Sequence, residues 1–439
     1  MHRRPPHPTS VWIRSVTTAL LLAAAVTAAS AQTVSTGQTP GGAFYRIEVP
    51  DGWGPADGLV IWNHGFDLDP IGPVTDLGPL AEVQLAQGYA VAASSYSLPG
   101  WALFLTIRDL RELVNVFELE FGVPDQILLN GASLGGIVTA QALEQGNLGQ
   151  VVGALPFCGA MAGSRLWDGA LDLRLLYDHI CDGVPFASVP GGAGGLPFPL
   201  DPNFDEIDLG LAVEACFGLL TPFPTSGQEA RLAQLLELTG LPENFILTDM
   251  VFATFALHDL VYDPEKLDGT MAMENAEVDY GDPAVNAGIE RVSSALAARG
   301  RLRDHFTPSG EVGDAKIVSI HTDKDGLVIV ENESEYASVV APENLTVAVA
   351  VEDTPSHCGF NEAELLAAWE SLREWVSGAP QPTATSIQAT CVDLENAGTA
   401  AGPCRIDPAF VIPDLDIRVR PRGPIFSDGF ESGDTTAWD

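Results

Sequence analysis

The sequence predicts an α/β fold, in which a mostly parallel central sheet is flanked by helices and carries a large helical insertion. Three observations predict it. Short apolar strand-like segments alternate with stretches of helical spacing in the first third of the chain, a long region of helical spacing follows, and strand-like segments then return. Alternating strands and helices are typical of parallel sheets, because parallel neighbours need crossover connections.

The N-terminal part of the predicted core, residues 32–160, follows this alternation. The strand-like segments are Gly58–Trp62, Tyr89–Ala93, Gln126–Asn130 and Val151–Pro156, each apolar and bounded by turn residues. The helices are Leu103–Phe121 and Leu134–Glu144. In the first helix, Leu110, Leu113, Val114 and Phe117 recur with the spacing of one helix face, which indicates the side that packs on the sheet.

The pattern changes over residues 161–314, where apolar residues have helical spacing and Gly- and Pro-rich connectors intervene. We expect a helical lid or cap here. The core resumes over residues 315–378, with strands at Lys316–His321 and Thr346–Val351 and an amphipathic helix at Asn361–Val376. A Pro-, Thr- and Ala-rich extension (379–424) and an acidic tail (425–439) complete the chain.

Residues 1–31 have the pattern of a secretory signal peptide. A basic start precedes an apolar run from Thr18 to Ala29, and Ala29-Ser-Ala31 supplies the small residues of a cleavage site. The alternative is a membrane anchor, but the run is short for a hydrocarbon layer of about 30 Å. We therefore expect an exported protein, which is periplasmic, extracellular or on the cell surface, with no membrane span in its mature form.

The charge balance excludes one class of partner. The 439 residues include 21 Lys and Arg against 59 Asp and Glu, a formal net charge of −38. A nucleic-acid-binding protein needs a cationic face to replace the counterions of phosphates, so no nucleic-acid partner is expected. Without residues 1–31 the chain loses three arginines and no acid, and its net charge falls to −41. Such a charge favours neutral or cationic substrates.

Six cysteines in an exported chain predict disulfides. No Cys-x-x-Cys occurs, which argues against a zinc or redox site. Proximity in sequence favours Cys391–Cys404 and Cys181–Cys216, which leaves Cys158 with Cys358. The alternative for this last pair is a free buried thiol at one or both positions. The bridge would tether the loop of His357 to the sheet.

A serine between two glycines is the sharpest local motif. In Gly131-Ala-Ser133-Leu-Gly135 a strand ends and a helix begins, and this tight turn lifts the Ser133 hydroxyl clear of the sheet edge. The N–H of Leu134 opens the helix and can face a developing oxyanion. The alternative is a serine that merely caps the helix.

A serine nucleophile needs a base and an orienting acid. His357 lies between the last core strand and the last long helix, which is where a hydrolase of this winding places its base. The loop after the preceding strand contains Asp323 and Asp325, and Asp325 is the favoured acid because Gly-Leu-Val and a helix follow it. The second oxyanion donor is expected to be the N–H of Phe66, since Gly65 lets the backbone bend there; the alternative is an ordinary turn.

These segments together resemble the α/β-hydrolases. The resemblance rests on Asn63-His64-Gly65-Phe66, Gly131-Ala-Ser133-Leu-Gly135, His321-Thr-Asp323-Lys-Asp325-Gly-Leu-Val328 and Ser356-His357-Cys358-Gly, and covers about Phe44 to Gly378. It implies a secreted serine hydrolase, similar to esterases and lipases or to prolyl oligopeptidases, with no cofactor and no metal. A small or polymeric carboxylic ester is the expected substrate. A peptidase of the same fold, or a catalytically silent surface-binding protein, is the alternative.

Overall fold

The computed structural model describes residues 32–74, 76–191 and 200–422. The predictions for residues 1–31 and for the acidic tail 425–439 lie outside the described residues. Eight strands of the described chain form one sheet in the order β1-β2-β4-β3-β5-β6-β7-β8. Their bounds are β1 (Gln32–Gln38), β2 (Phe44–Pro50), β3 (Leu59–Asn63), β4 (Ala90–Ser94), β5 (Ile127–Ala132), β6 (Val151–Phe157), β7 (Lys316–Thr322) and β8 (Leu345–Ala350).

The sheet is parallel from β4 to β8, and β1 and β2 join its edge in antiparallel pairing. All residues of β3 and β4 are buried, as expected for parallel strands whose two faces are both covered by helices. The carboxyl ends of β3, β5, β6, β7 and β8 therefore lie along one edge of the sheet. The loops that carry Phe66, Asp325 and His357, and the turn at Ser133, follow these strands at this edge.

Helices cover both faces of the sheet. The core helices are α1 (Ala81–Ala86), α2 (Thr106–Phe121), α3 (Leu134–Gln145), α11 (Asn332–Val339), α12 (Glu362–Val376) and α13 (Ala384–Ala397). One buried cluster joins one face of the sheet to α2 and α3 and continues into the insertion. A second cluster joins the other face to α1, α12 and α13.

Between β6 and β7 the chain leaves the sheet and forms the helical insertion, as the sequence predicts. Its helices are α4 (Leu166–Ile180), α5 (Glu206–Phe217), α6 (Ser226–Thr239), α7 (Ile246–Val251), α8 (Leu257–Tyr262), α9 (Pro283–Gly288) and α10 (Leu296–Asp304). A π-helical turn, Phe252–Ala256, links α7 to α8. The helical segment Glu243–Tyr262 is long and apolar enough to span a membrane, with a mean hydropathy of 1.4, but half of it is buried inside the protein.

The extension after residue 378 differs from the Pro-, Thr- and Ala-rich appendage that its composition suggests. Thr383 caps α13, and Ile387 and Cys391 bury that helix against α12. Ile406 then forms an antiparallel bridge with Ala350 at the end of β8. The extension is thus packed on the core, because a few apolar residues at helical spacing suffice to bury one face of α13.

The six cysteines form the two pairs that proximity in sequence favours and the third pair that these two leave. Cys181–Cys216 joins α4 to α5 within the insertion, and Cys391–Cys404 closes the segment after α13. Cys158–Cys358 links the end of β6 to the loop after β8, with its Cα atoms 5.4 Å apart. This third bridge lies beside the candidate site.

Candidate active site

Ser133 occupies a strained turn between β5 and α3. Its backbone angles are φ 56° and ψ −122°, a region that non-glycine residues rarely adopt. The flanking glycines are required by space, because a Cβ at Gly131 would overlap the carbonyl of Gly135, and a Cβ at Gly135 would overlap the carbonyl of Asn63. The turn therefore presents the hydroxyl at the sheet edge at a cost in backbone strain.

The loop after β3 faces this serine. A Cβ built on Gly65 would lie 3.4 Å from the Cβ of Ser133 and 3.9 Å from its Oγ, so the backbone of this loop passes directly beside the serine. His64 fixes the loop, since its Nδ1 donates to the Gly65 carbonyl at 2.8 Å and its ring stacks on Tyr96. Burial lowers the pKa of His64, which keeps the ring neutral at neutral pH. Phe66 and Leu134 line one cavity together with Ser133.

Asp325 and His357 form a hydrogen-bonded pair at the same edge. His357 Nδ1 donates to Asp325 Oδ2 at 2.7 Å, and the buried carboxylate accepts the N–H groups of Leu327 and Val328 through Oδ1, each at 3.0 Å. The N–H of Cys358 also donates to Oδ2, at 3.3 Å. With both oxygens engaged the carboxylate cannot rotate, so it fixes the imidazole with Nε2 as the nitrogen that can accept a proton.

Asp323, the competing acid, has a different partner. Its Oδ1 accepts the N–H of Glu352 at 2.7 Å, and its own N–H donates to the carbonyl of Ala350. These bonds tie the β7 loop to the end of β8. In the structure it is Asp325 that contacts His357, whereas Asp323 stabilises the two loops.

The cysteine bridge holds the His357 loop to the strand that supports Ser133. The N–H of Ser133 donates to the carbonyl of Phe157 at 3.0 Å, and Cys158 is the next residue. Its disulfide partner Cys358 follows His357 directly. Among the described residues no hydrogen bond joins the Ser133 hydroxyl to His357, and catalytic hydrogen bonds of this kind often tighten only when substrate binds.

A second histidine, which the sequence analysis did not assign, supports the acid loop. His321 is fully buried at the end of β7, where Nε2 donates to the Val328 carbonyl at 2.6 Å and Nδ1 lies 3.1 Å from Glu333 Oε1. Burial opposes its protonation, but the hydrogen bond to Glu333 and the charges of Glu333 and Asp325 outweigh it and raise the pKa of His321. The ring thus anchors the loop that presents Asp325.

The cavity next to Ser133 encloses about 990 Å³, part of it open to solvent. Its wall is largely apolar and comes from the sheet edge, from the insertion and from the last described residues. The apolar side chains are Phe66, Trp101, Leu134, Leu166, Trp167, Leu173, Leu241, Phe252, Leu327, Val328, Ile329 and Val419. A cavity of this kind suits an apolar substrate with few polar groups.

The last described segment, residues 415–422, is named here the C-terminal arm, and it completes this wall. Arg418 Nε donates to the carbonyl of Thr239 at 3.1 Å, and Arg422 pairs with Asp172 at 3.0 Å, so the arm holds α6 and α4 of the insertion. Leu415 N–H donates to Ser334 of the core helix α11 at 3.1 Å. Sequence reasoning missed the arm; its only signal was Arg-Val-Arg-Pro-Arg422, a local excess of cations in an acidic chain.

One group of side chains has the spacing of a metal site. Cys158, Asp325, His357 and Cys358 have ligand atoms within 4.8 Å of one another. Both cysteines are joined in a disulfide, which removes the thiolates that would bind a metal. The group therefore does not fit a metal ion.

Comparisons with known proteins gave distant structural similarity only. No family model and no curated protein sequence matches the chain. A Pyrococcus furiosus esterase is 13% identical with a TM-score of 0.34, and the match covers 79% of this chain and 88% of that one. Candida antarctica lipase A is 12% identical with a TM-score of 0.38, covering 88% and 83%. A puromycin hydrolase is 14% identical with a TM-score of 0.37, covering 81% and 41%.

Proposed function

We propose that this chain, which has the α/β-hydrolase fold by its strand order and its strained Ser133 turn, is an exported serine hydrolase of carboxylic esters. One observation carries the proposal. Ser133, the loop at Gly65 and the Asp325–His357 pair lie along one sheet edge, beside a largely apolar cavity, and this arrangement supports the proposal. Acyl transfer needs a nucleophile and an oriented base, and Ser133 and His357 would supply them.

In the proposed reaction the Ser133 hydroxyl attacks the acyl carbon while His357 Nε2 takes its proton. Asp325 holds the imidazole through Nδ1 and stabilises the imidazolium that forms. The N–H groups of Phe66 and Leu134 stabilise the negative charge on the carbonyl oxygen. His357 then protonates the leaving alcohol, and water repeats the two steps on the acyl-enzyme to release the acid.

The disulfides support the exported location. Three bridges join all six cysteines of the described residues. Stable disulfides belong to oxidising compartments such as the periplasm and the extracellular space. This agrees with the signal-peptide pattern of residues 1–31.

Graded substrates test the proposal. The purified protein is given p-nitrophenyl esters of increasing acyl length and, separately, peptide p-nitroanilides, beside Ser133→Ala and the control Ser338→Ala. Ser338 is an exposed serine of α11, so its loss should leave activity unchanged. Ester hydrolysis that Ser133→Ala abolishes is the expected result. Hydrolysis of anilides alone would favour a peptidase, and full activity in Ser133→Ala would exclude the serine mechanism.

A further inference from the structure

One polar side chain in the wall of the cavity, that of Asp249, takes no part in the proposed reaction. Asp249 lies on α7 of the insertion and lines the same cavity as Ser133. Its Oδ2 is buried and has no hydrogen-bond partner, and within the described residues no ion pair involves its carboxyl group. An unpaired buried polar group costs about 1–3 kcal/mol, so a ligand group that forms a hydrogen bond with Oδ2 would be favoured.

The surroundings of Asp249 favour its neutral form. Burial is the main cause that raises its pKa well above the ordinary value, and the negative charge of Asp325 adds to it. The guanidinium of Arg418 opposes this shift, but that side chain is already held by the Thr239 carbonyl and lies 3.6 Å from Glu331. A protonated carboxyl offers one O–H donor and one carbonyl acceptor.

Asp249 is also placed near the reacting centre by its helix. Phe252 follows it by about one helical turn, and the Phe252 ring packs against the ring of Phe66 with centroids 4.8 Å apart. Phe66 belongs to the loop that faces Ser133. A substrate bound across Ser133 can therefore reach the Asp249 carboxyl without leaving the cavity.

We propose that Asp249 is a specificity-determining residue that binds a neutral oxygen function, such as an ether, hydroxyl or carbonyl, on an otherwise apolar ester. The proposal rests on the ester hydrolase activity proposed above. A purely hydrocarbon substrate would leave the carboxyl unpaired in an apolar wall, whereas an oxygen at the right depth would accept its hydrogen bond. The cavity thus selects against plain alkyl esters of the same shape.

Pairs of isosteric esters test this selection on both sides of the scissile bond. On the acyl side, p-nitrophenyl 4-methoxybutanoate is compared with p-nitrophenyl hexanoate; on the alcohol side, 4-methoxybutyl acetate is compared with hexyl acetate. The ratio of kcat/KM within each pair is measured for the wild-type protein, Asp249→Asn and Asp249→Leu. Asn keeps a neutral donor and acceptor of similar size, and Leu keeps only the volume.

We expect at least one wild-type ratio to favour the oxygenated ester, to persist in Asp249→Asn and to fall about tenfold in Asp249→Leu, the effect of one lost hydrogen bond. Ratios that are the same in all three proteins would overturn the proposal. A third pair, p-nitrophenyl 4-(dimethylamino)butanoate against 5-methylhexanoate, tests the ionised alternative. A preference for the amine that Asp249→Asn loses would show a carboxylate counter-ion, and would also overturn it.

These outcomes separate the two proposals. Ester hydrolysis that depends on Ser133, with ratios unaffected at Asp249, removes the role of Asp249 and leaves the proposed function. The absence of any ester hydrolysis by the wild-type protein would overturn both. Thermal unfolding of each variant shows whether Asp249→Leu is folded, and Asp249→Asn gives the same comparison with the least change in shape.

Discussion

The charged groups at the sheet edge and those in the cavity wall differ in how fully they are hydrogen-bonded. At the edge, Asp325 uses both oxygens and His321 both nitrogens in hydrogen bonds to groups of the same loop, of the His357 loop and of α11. In the wall, the arginines of the C-terminal arm hold the insertion together, but Oδ2 of Asp249 has no hydrogen-bond partner among the described residues. The difference indicates that the residues at the edge are in place before substrate binds, whereas one buried oxygen in the wall, Oδ2 of Asp249, is free to form a hydrogen bond with a substrate.

The largest expected effect separates the two aspartates of the acid loop. Asp325→Asn keeps the shape of the side chain but favours the wrong imidazole tautomer, so kcat should fall about 10⁴-fold. Asp323→Asn keeps an oxygen that can accept the Glu352 N–H and removes only the charge, so it should change kcat less than about threefold. Steady-state kinetics on one p-nitrophenyl ester measure both. Equal losses in the two variants would mean that the edge does not work through Asp325.

The disulfides should differ in their effects because they close loops of different length. Cys158 and Cys358 are separated by 200 residues, and Cys391 and Cys404 by 13. In the chain-entropy treatment, replacing the first pair with alanine costs about 5 kcal/mol and replacing the second about 3 kcal/mol. Denaturant unfolding gives these values. We also expect the first variant to lower kcat more than the second, because only that bridge restrains the His357 loop; the reverse order would contradict this.

The arm should stabilise the wall through Arg422. This side chain is 4% exposed and lies between Asp168 and Asp172. Arg422→Ala leaves both carboxyl groups without their cation, and the expected loss of stability is about 3–5 kcal/mol. The control Arg373→Ala breaks a pair with Glu370 in which the Arg373 side chain is 36% exposed, and should cost less than about 1 kcal/mol. Similar losses in the two variants would show that the arm does not hold the wall.

The pH dependence of stability should be the smallest effect. Burial is the main cause that raises the pKa of Asp168 and of Asp178, both on α4 of the insertion, to about 6. An acid whose pKa is raised by folding stabilises the folded state while protonated, and this contribution is lost as the pH rises towards and through that value. The raised pKa of His321 acts in the same direction at higher pH: its contribution is complete below the unfolded value near 6.5 and is lost as the pH passes its folded value.

Urea unfolding at several pH values measures the sum of these contributions to the free energy of unfolding. Below about pH 6.5 the lowered pKa of His64 opposes the contribution of the two aspartates, and above it the free energy of unfolding should decline as His321 loses its proton. His321→Gln should flatten the decline above pH 6.5, because carboxyl groups with a pKa of about 6 are largely ionised there. A stability that rises over this range would contradict these shifts.

Much of the fold could be predicted because the core strands and helices carry local signals. The apolar runs of β3 and β4 and the spacing of α2 reveal buried elements without reference to the rest of the chain. The strand β1 could not be predicted, since Gln-Thr-Val-Ser-Thr-Gly-Gln has no apolar pattern and the strand exists by pairing with β2. The helix α13 was hidden by its Thr- and Ala-rich composition.

The residues of the candidate site also include some that the sequence predicts and some that it does not. The turn at Ser133 is specified by residues that are adjacent in sequence, and its glycines are visible there. The arm and Asp249 reach the cavity only through contacts between distant segments, such as Arg418 with Thr239 across 179 positions. Such a contact leaves no local pattern in the sequence. The residues at the sheet edge can therefore be predicted from the sequence, whereas the residues that line the cavity wall cannot.

Covalent labelling tests the central claim most directly. The purified protein is treated with a fluorophosphonate, and the adduct is located by mass spectrometry of the intact protein and of its peptides. A nucleophile activated as proposed gives one adduct, on Ser133, which is absent from Ser133→Ala and forms much more slowly in Asp325→Asn. The absence of an adduct, or an equal adduct in Ser133→Ala, would contradict the proposed site.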